Sequence, residues 1–79
     1  MNSIVTEDFM DCFARLPDAV REQARRAYRL WRANPSHPGP SFKPIRGHAG
    51  VYSVRVGRWW RALGRLEGDT VTWSKREWR

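Results

Sequence analysis

Val51-Tyr52-Ser53-Val54-Arg55-Val56-Gly57-Arg58-Trp59-Trp60-Arg61-Ala62-Leu63-Gly64-Arg65-Leu66 is the stretch on which the fold turns. Val51 to Val56 is rich in β-branched residues and alternates, the two-residue period of a half-buried strand. Trp59 to Leu66 reads as a second strand, with Gly57 in the turn between them. Two registers are open. A two-residue turn at Gly57-Arg58 would put Arg61 on the face of Val54 and Val56, inside the core, where an unpaired guanidinium costs several kcal/mol. A three-residue loop, Gly57-Arg58-Trp59 with a bulge, pairs Val56 with Trp60 instead. Tyr52, Val54, Val56, Trp60 and Ala62 then turn toward the core, and Ser53, Arg55, Arg61 and Leu63 turn away. The second register is adopted. It sets Arg55 and Arg61 side by side on the outer surface.

Beyond it, Glu67-Gly68-Asp69 is a hairpin loop and residues 70–74 a further strand. Ser41 to Ile45 alternates as well, but Pro44 restricts it to a short or edge strand. Gly47-His48-Ala49-Gly50 is a turn, and Pro35-Ser36-His37-Pro38-Gly39-Pro40 suits neither helix nor strand. Before that break the period changes to the helical one. Val20, Ala24, Ala27, Tyr28 and Trp31 fall within an arc of roughly 100°, with Arg21, Arg25, Arg26, Arg29 and Arg32 opposite, which predicts a helix over 17–33. Phe9, Cys12, Phe13 and Leu16 predict another over 6–15, with Thr6 as N-cap and Glu7 and Asp8 favoured by the helix dipole. Pro17 fits the first position of the second helix. Helices first and strands second, with short links, predict an α+β fold. An N-terminal helical hairpin packs on one face of a small antiparallel β-sheet, in one domain spanning 1–79.

Fifteen Lys+Arg against eight Asp+Glu give a net charge of +7, which attracts polyanions: nucleic acid, ribosome, anionic membrane or an acidic protein. Lys43 and Lys75 are the only lysines; the rest is arginine, the bidentate binder of phosphate and carboxylate. A charged helix face is ordinarily solvated, so the α-helical arginine stripe is a weaker candidate than Arg55 and Arg61, for which a sheet surface offers no evident structural partner. One cysteine, Cys12, rules out an intramolecular disulfide, and its place on the apolar stripe makes it a core residue. No leader peptide or spanning segment is read, and a cytoplasmic protein is expected. His37 and His48 lack metal-ligand spacing with Cys12, so neither metal nor cofactor is expected. Trp59, Trp73 and Trp78 exceed what so small a core easily buries, and at least one is expected against a partner or a base.

Leu16-Pro17, Val20, Ala24, Ala27-Tyr28-Arg29-Leu30-Trp31, Asn34-Pro35-Ser36-His37-Pro38, Phe42-Lys43, Gly47, Tyr52-Ser53-Val54-Arg55-Val56-Gly57, Trp60-Arg61-Ala62-Leu63-Gly64 and Gly68-Asp69 together resemble the RelE/ParE superfamily of type II toxin–antitoxin toxins, over about residues 9 to 73. The motifs are individually short; their order and spacing carry the likeness. It implies the same helical hairpin on a small sheet, a cognate antitoxin as partner in a hetero-oligomer, and no membrane association.

By resemblance to the RelE branch, the expected activity is ribosome-dependent mRNA cleavage through attack of a ribose 2′-hydroxyl on the adjacent phosphate. This is endoribonuclease chemistry that inhibits translation. The other readings are a ParE-like toxin that binds DNA gyrase and a non-catalytic nucleic-acid-binding module on the same scaffold. Cleavage needs cations on the developing phosphorane and groups that move protons. Arg61, preceded by the aromatic Trp60, matches the family's strand arginine, and Arg55 a strand cation before the hairpin. Lys75-Arg76-Glu77 matches a basic segment after the last strand. The expected catalytic set is therefore Arg61, Arg55, Arg76, Lys75 and Glu77, and the expected nucleic-acid-binding set Arg55, Arg61, Lys43, His48 and Arg58. Arginine is a poor base, so proton transfer falls to Lys75, Glu77 or His48. Where family members carry a longer last strand and a C-terminal His or Tyr segment, this sequence has Ser74-Lys75-Arg76-Glu77-Trp78-Arg79.

Overall fold

Two helices carry the apolar stripes. α1 spans Glu7–Ala14 and α2 spans Asp18–Ala33. Thr6 caps α1: its hydroxyl accepts from the Phe9 N–H at 3.4 Å and donates to the Trp73 carbonyl at 2.8 Å. Pro17 sits one position earlier than expected, as the N-cap of α2, and Cys12, expected in the core, is only half-buried because α1 leans on the core through Phe9 and Phe13. α2 buries Val20, Ala24, Ala27 and Trp31, one residue per turn on a single side. Residues 1–74 are described in this computed structural model.

Among the described residues the sheet has five strands: β1 (Asn2–Val5), β2 (Lys43–Pro44), β3 (Val51–Val56), β4 (Trp60–Glu67) and β5 (Thr70–Trp73). Their spatial order is β1-β5-β4-β3-β2. Three of the four pairings are antiparallel, as the sequence predicts. β1 is an addition: it runs parallel to β5, with Ser3 opposite Val71 and Val5 opposite Trp73, so the sheet is mixed. β2 shrinks to two residues at the edge, as a proline that cannot donate to the ladder requires.

The core lies between the helices and the inner sheet face. Leu16, Val20, Ala24, Ala27 and Trp31 meet Val54, Val56, Ala62, Val71 and Trp73. Trp31 is its centre, 1% exposed, with Trp73 edge-on at 5.3 Å and Phe42 at 5.5 Å between ring centroids. Trp73 is thus a core residue and not a spare tryptophan. Gly64 lets β4 approach it: a Cβ there would stand 2.7 Å from Val71 Cγ1 and 2.8 Å from the Trp73 ring.

Candidate nucleic-acid interface

Strand register fixes which side chains share the outer face. Val56 pairs with Trp60 across a three-residue loop, Arg55 with Arg61, and Ser53 with Leu63. Alternation then puts Arg55 with Arg61, Leu63 and Arg65 on the face away from the helices. Lys43 pairs with Ser53 and joins the same face from the edge. Four cations, Lys43, Arg55, Arg61 and Arg65, are all exposed, against a single strand carboxylate on that face, Glu67.

Arg55 and Arg61 are direct cross-strand neighbours, and like charges placed so destabilise a sheet. Among the described residues neither guanidinium has an ion-pair partner, and the ion pairs lie elsewhere: Arg21 with Asp18, Arg25 with Glu22, and the N-terminus with Asp69. The backbone under the pair is held firmly. Arg55 pairs with β4 on one side, and on the other the Arg55 N–H donates to the Pro40 carbonyl at 2.7 Å. Pro40 itself is buried, and Ser41 after it takes a left-handed backbone (φ 53°). A concentrated, rigidly mounted positive surface is what an anion such as a phosphodiester needs.

The expected site residues fall into three groups. Arg55, Arg61 and Lys43 come together as above. His48 is exposed in the loop before β3 and lines a polar hollow of about 290 Å³ with Ile45, Val51, Leu63, Gly64, Arg65 and Ser74. Arg58 sits at the hairpin tip, its guanidinium carbon 6.0 Å from the Trp59 ring centroid. Lys75, Arg76 and Glu77 lie outside the described residues. Two members were not singled out from sequence. Arg65 follows Arg61 by four, so the strand period already put both on one face; Ser74 had no signal of its own. Ser53, expected on the outer face, is 3% exposed, enclosed between its cross-strand neighbours Lys43 and Leu63.

The other side offers different chemistry. An apolar hollow of about 250 Å³ lies between α1, α2 and the sheet, lined by Phe9, Phe13, Trp31 and Trp73 among others, with Arg25 as its one ionisable wall beside the Tyr28 phenol. Of the α2 arginines, Arg21 also reaches the Ala14 carbonyl, Arg32 reaches the Met1 carbonyl, and Arg25 lies over the Phe13 ring. These serve helix packing and solvation. Among the described residues no group of three or more His, Cys, Asp or Glu side chains is arranged to hold a metal ion, and no helix is long and apolar enough to cross a membrane.

Comparison with known proteins gives the same architecture a family. No curated protein matches the sequence. Among solved structures, the YoeB/ParE toxin from Agrobacterium tumefaciens superposes with a TM-score of 0.73 at 19% identity, over 100% of this chain and 99% of that one. A RelB–RelE antitoxin–toxin complex from Methanococcus jannaschii gives 0.73 at 19% identity, over 90% and 84%. The E. coli RelBE toxin–antitoxin complex gives 0.67 at 17% identity, over 96% and 96%. These likenesses establish the fold, and the sequence model of the ParE-like toxin domain matches residues 18–76. The chain belongs to the ParE-like toxin domain family, within the RelE/ParE superfamily.

Proposed function

We propose that this chain is the toxin of a type II toxin–antitoxin module and acts in the cytoplasm as a ribosome-dependent mRNA endoribonuclease, held in check by a cognate antitoxin. Support comes above all from the cross-strand pair Arg55 and Arg61, unmatched by any carboxylate among the described residues and flanked by Lys43 and Arg65. In the proposed reaction the 2′-hydroxyl oxygen attacks the adjacent phosphorus. The bond to the 5′ oxygen of the next nucleotide breaks, leaving a 2′,3′-cyclic phosphate and a 5′-hydroxyl. Arg61 and Arg55 hold the non-bridging oxygens as charge builds on them. One proton must leave the 2′-hydroxyl and one must reach the departing oxygen. Arginine does neither well, so His48, Lys75 and Glu77 are the candidates, with Arg76 as a further cation. His48 and Ser74 border the same hollow, and Ser74 leads directly into Lys75-Arg76-Glu77.

Removing one charge-assisted contact that tightens in the transition state costs a rate factor of about 10²–10³. Arg61→Ala is therefore expected to abolish growth inhibition and mRNA cleavage while keeping the parent circular dichroism, because the side chain is exposed. Full toxicity in Arg61→Ala, or a collapsed spectrum, would rule the phosphate role out. A gyrase-binding toxin is the second reading, favoured by the ParE-like match; it needs no catalytic residues, and Arg61→Ala would then leave growth inhibition unchanged.

A further inference from the structure

Trp59 stands out from every other large apolar side chain described: it is 77% exposed, at the tip of the β3–β4 hairpin. Its neighbour Trp60 turns inward to pack against the core, so the hairpin is already anchored by one indole. An indole left in water gains nothing from burial, and a polar residue would serve equally in a three-residue loop. Gly57, with φ +63°, provides the tight turn. The surroundings say what the ring is suited to meet. Arg58 lies over it, and the Arg55–Arg61 pair begins one register step back along the hairpin. Trp59 and Arg61 are two residues apart, so the chain allows at most about 7 Å between their Cα atoms. One nucleotide spans such a distance, its phosphate on the arginine pair and its base on the indole.

We propose that Trp59 is a stacking platform for an unpaired nucleobase of single-stranded RNA, with Arg58 beside it and Arg55 and Arg61 holding the attached phosphate. This deepens the functional reading above and rests on it. Stacking is tolerant of base identity, because every base has a π-face; the platform therefore contributes affinity and register, and sequence preference would arise elsewhere. Charge complementarity selects the occupant. The hairpin and its outer face present Arg55, Arg58, Arg61 and Arg65, which suits a polyanion carrying flat rings better than an aliphatic helix.

The test is titration of the full chain with an unstructured ten-nucleotide RNA at several salt concentrations. Trp59→Ala is expected to weaken binding about ten- to a hundredfold with the salt slope unchanged, and Trp59→Phe to recover most of the loss. Arg55→Ala and Arg61→Ala are each expected to reduce the slope of log K against log salt by about 0.7, the single-strand value per phosphate contact. Parent affinity in Trp59→Ala overturns the stacking role. If the arginine variants keep their slopes at the same time, the phosphate site falls with it; if their slopes drop, the phosphate site survives without the platform. Should Trp59→Ala bind RNA as the parent does but lose an acidic partner protein, Trp59 belongs to a protein interface and the proposal is wrong.

Discussion

Ser3 Oγ accepts from two ring systems at once: the Trp73 indole N–H at 3.0 Å and the Tyr28 hydroxyl at 2.9 Å. It thereby ties the first strand to both the core and α2. Trp73 is 3% exposed, so Ser3→Ala leaves a buried donor unpaired and is expected to cost about 1–3 kcal/mol, read as a lower urea midpoint; an unchanged midpoint would mean that water takes over the bond. Gly64→Ala acts in the opposite sense, adding a methyl where Val71 and the Trp73 ring stand too close. Overpacking there is expected to cost about 1–3 kcal/mol, measured in the same way. The exposed arginines sort differently. Arg29→Ala, on the solvated side of α2, is expected to leave toxicity close to the parent, whereas Arg61→Ala removes it. The placement of Arg55 and Arg61 on one outer face was legible because burial disfavours one of two registers for an unpaired guanidinium. Arg65 was equally available from the same alternation once Arg61 had been placed.

At the level of elements, both helices and the β3–β4 hairpin follow from periodicity, since each buries one side of a regular pattern. β1 does not follow. Asn2-Ser3-Ile4-Val5 is four residues long, mostly exposed, and lacks flanking turn signals. It is a strand because β5, far along the chain, offers its edge, and such long-range pairing leaves no local mark. β2 is short for a reason already visible in the sequence, the missing N–H of Pro44. α1 buries no residue fully and depends on its cap and on Phe9 and Phe13 leaning against the core. Thr6→Ala is accordingly expected to cost about 1 kcal/mol and to increase amide exchange in α1 more than in α2. Equal protection in both helices would show that packing, and not the cap, holds α1.

For the whole molecule, a net charge of +7 and a sheet with one cationic, helix-free face give a surface suited by charge to a polyanion. With so little core, its stability is expected to be marginal and to rise with a partner: an acidic or amphipathic antitoxin segment should raise the melting temperature by several degrees through mass action. A pull-down in which no product of a neighbouring gene binds the chain would contradict that expectation. The Arg55–Arg61 face is proposed to cut RNA. The most direct measurement is mapping of mRNA 5′ ends by primer extension minutes after induction of the chain, with Arg61→Ala and plasmid supercoiling followed in parallel. New ends inside translated regions with the parent, none with Arg61→Ala and unchanged supercoiling are predicted. Growth arrest with intact messages and altered supercoiling would contradict it, and would make the chain a gyrase-directed toxin.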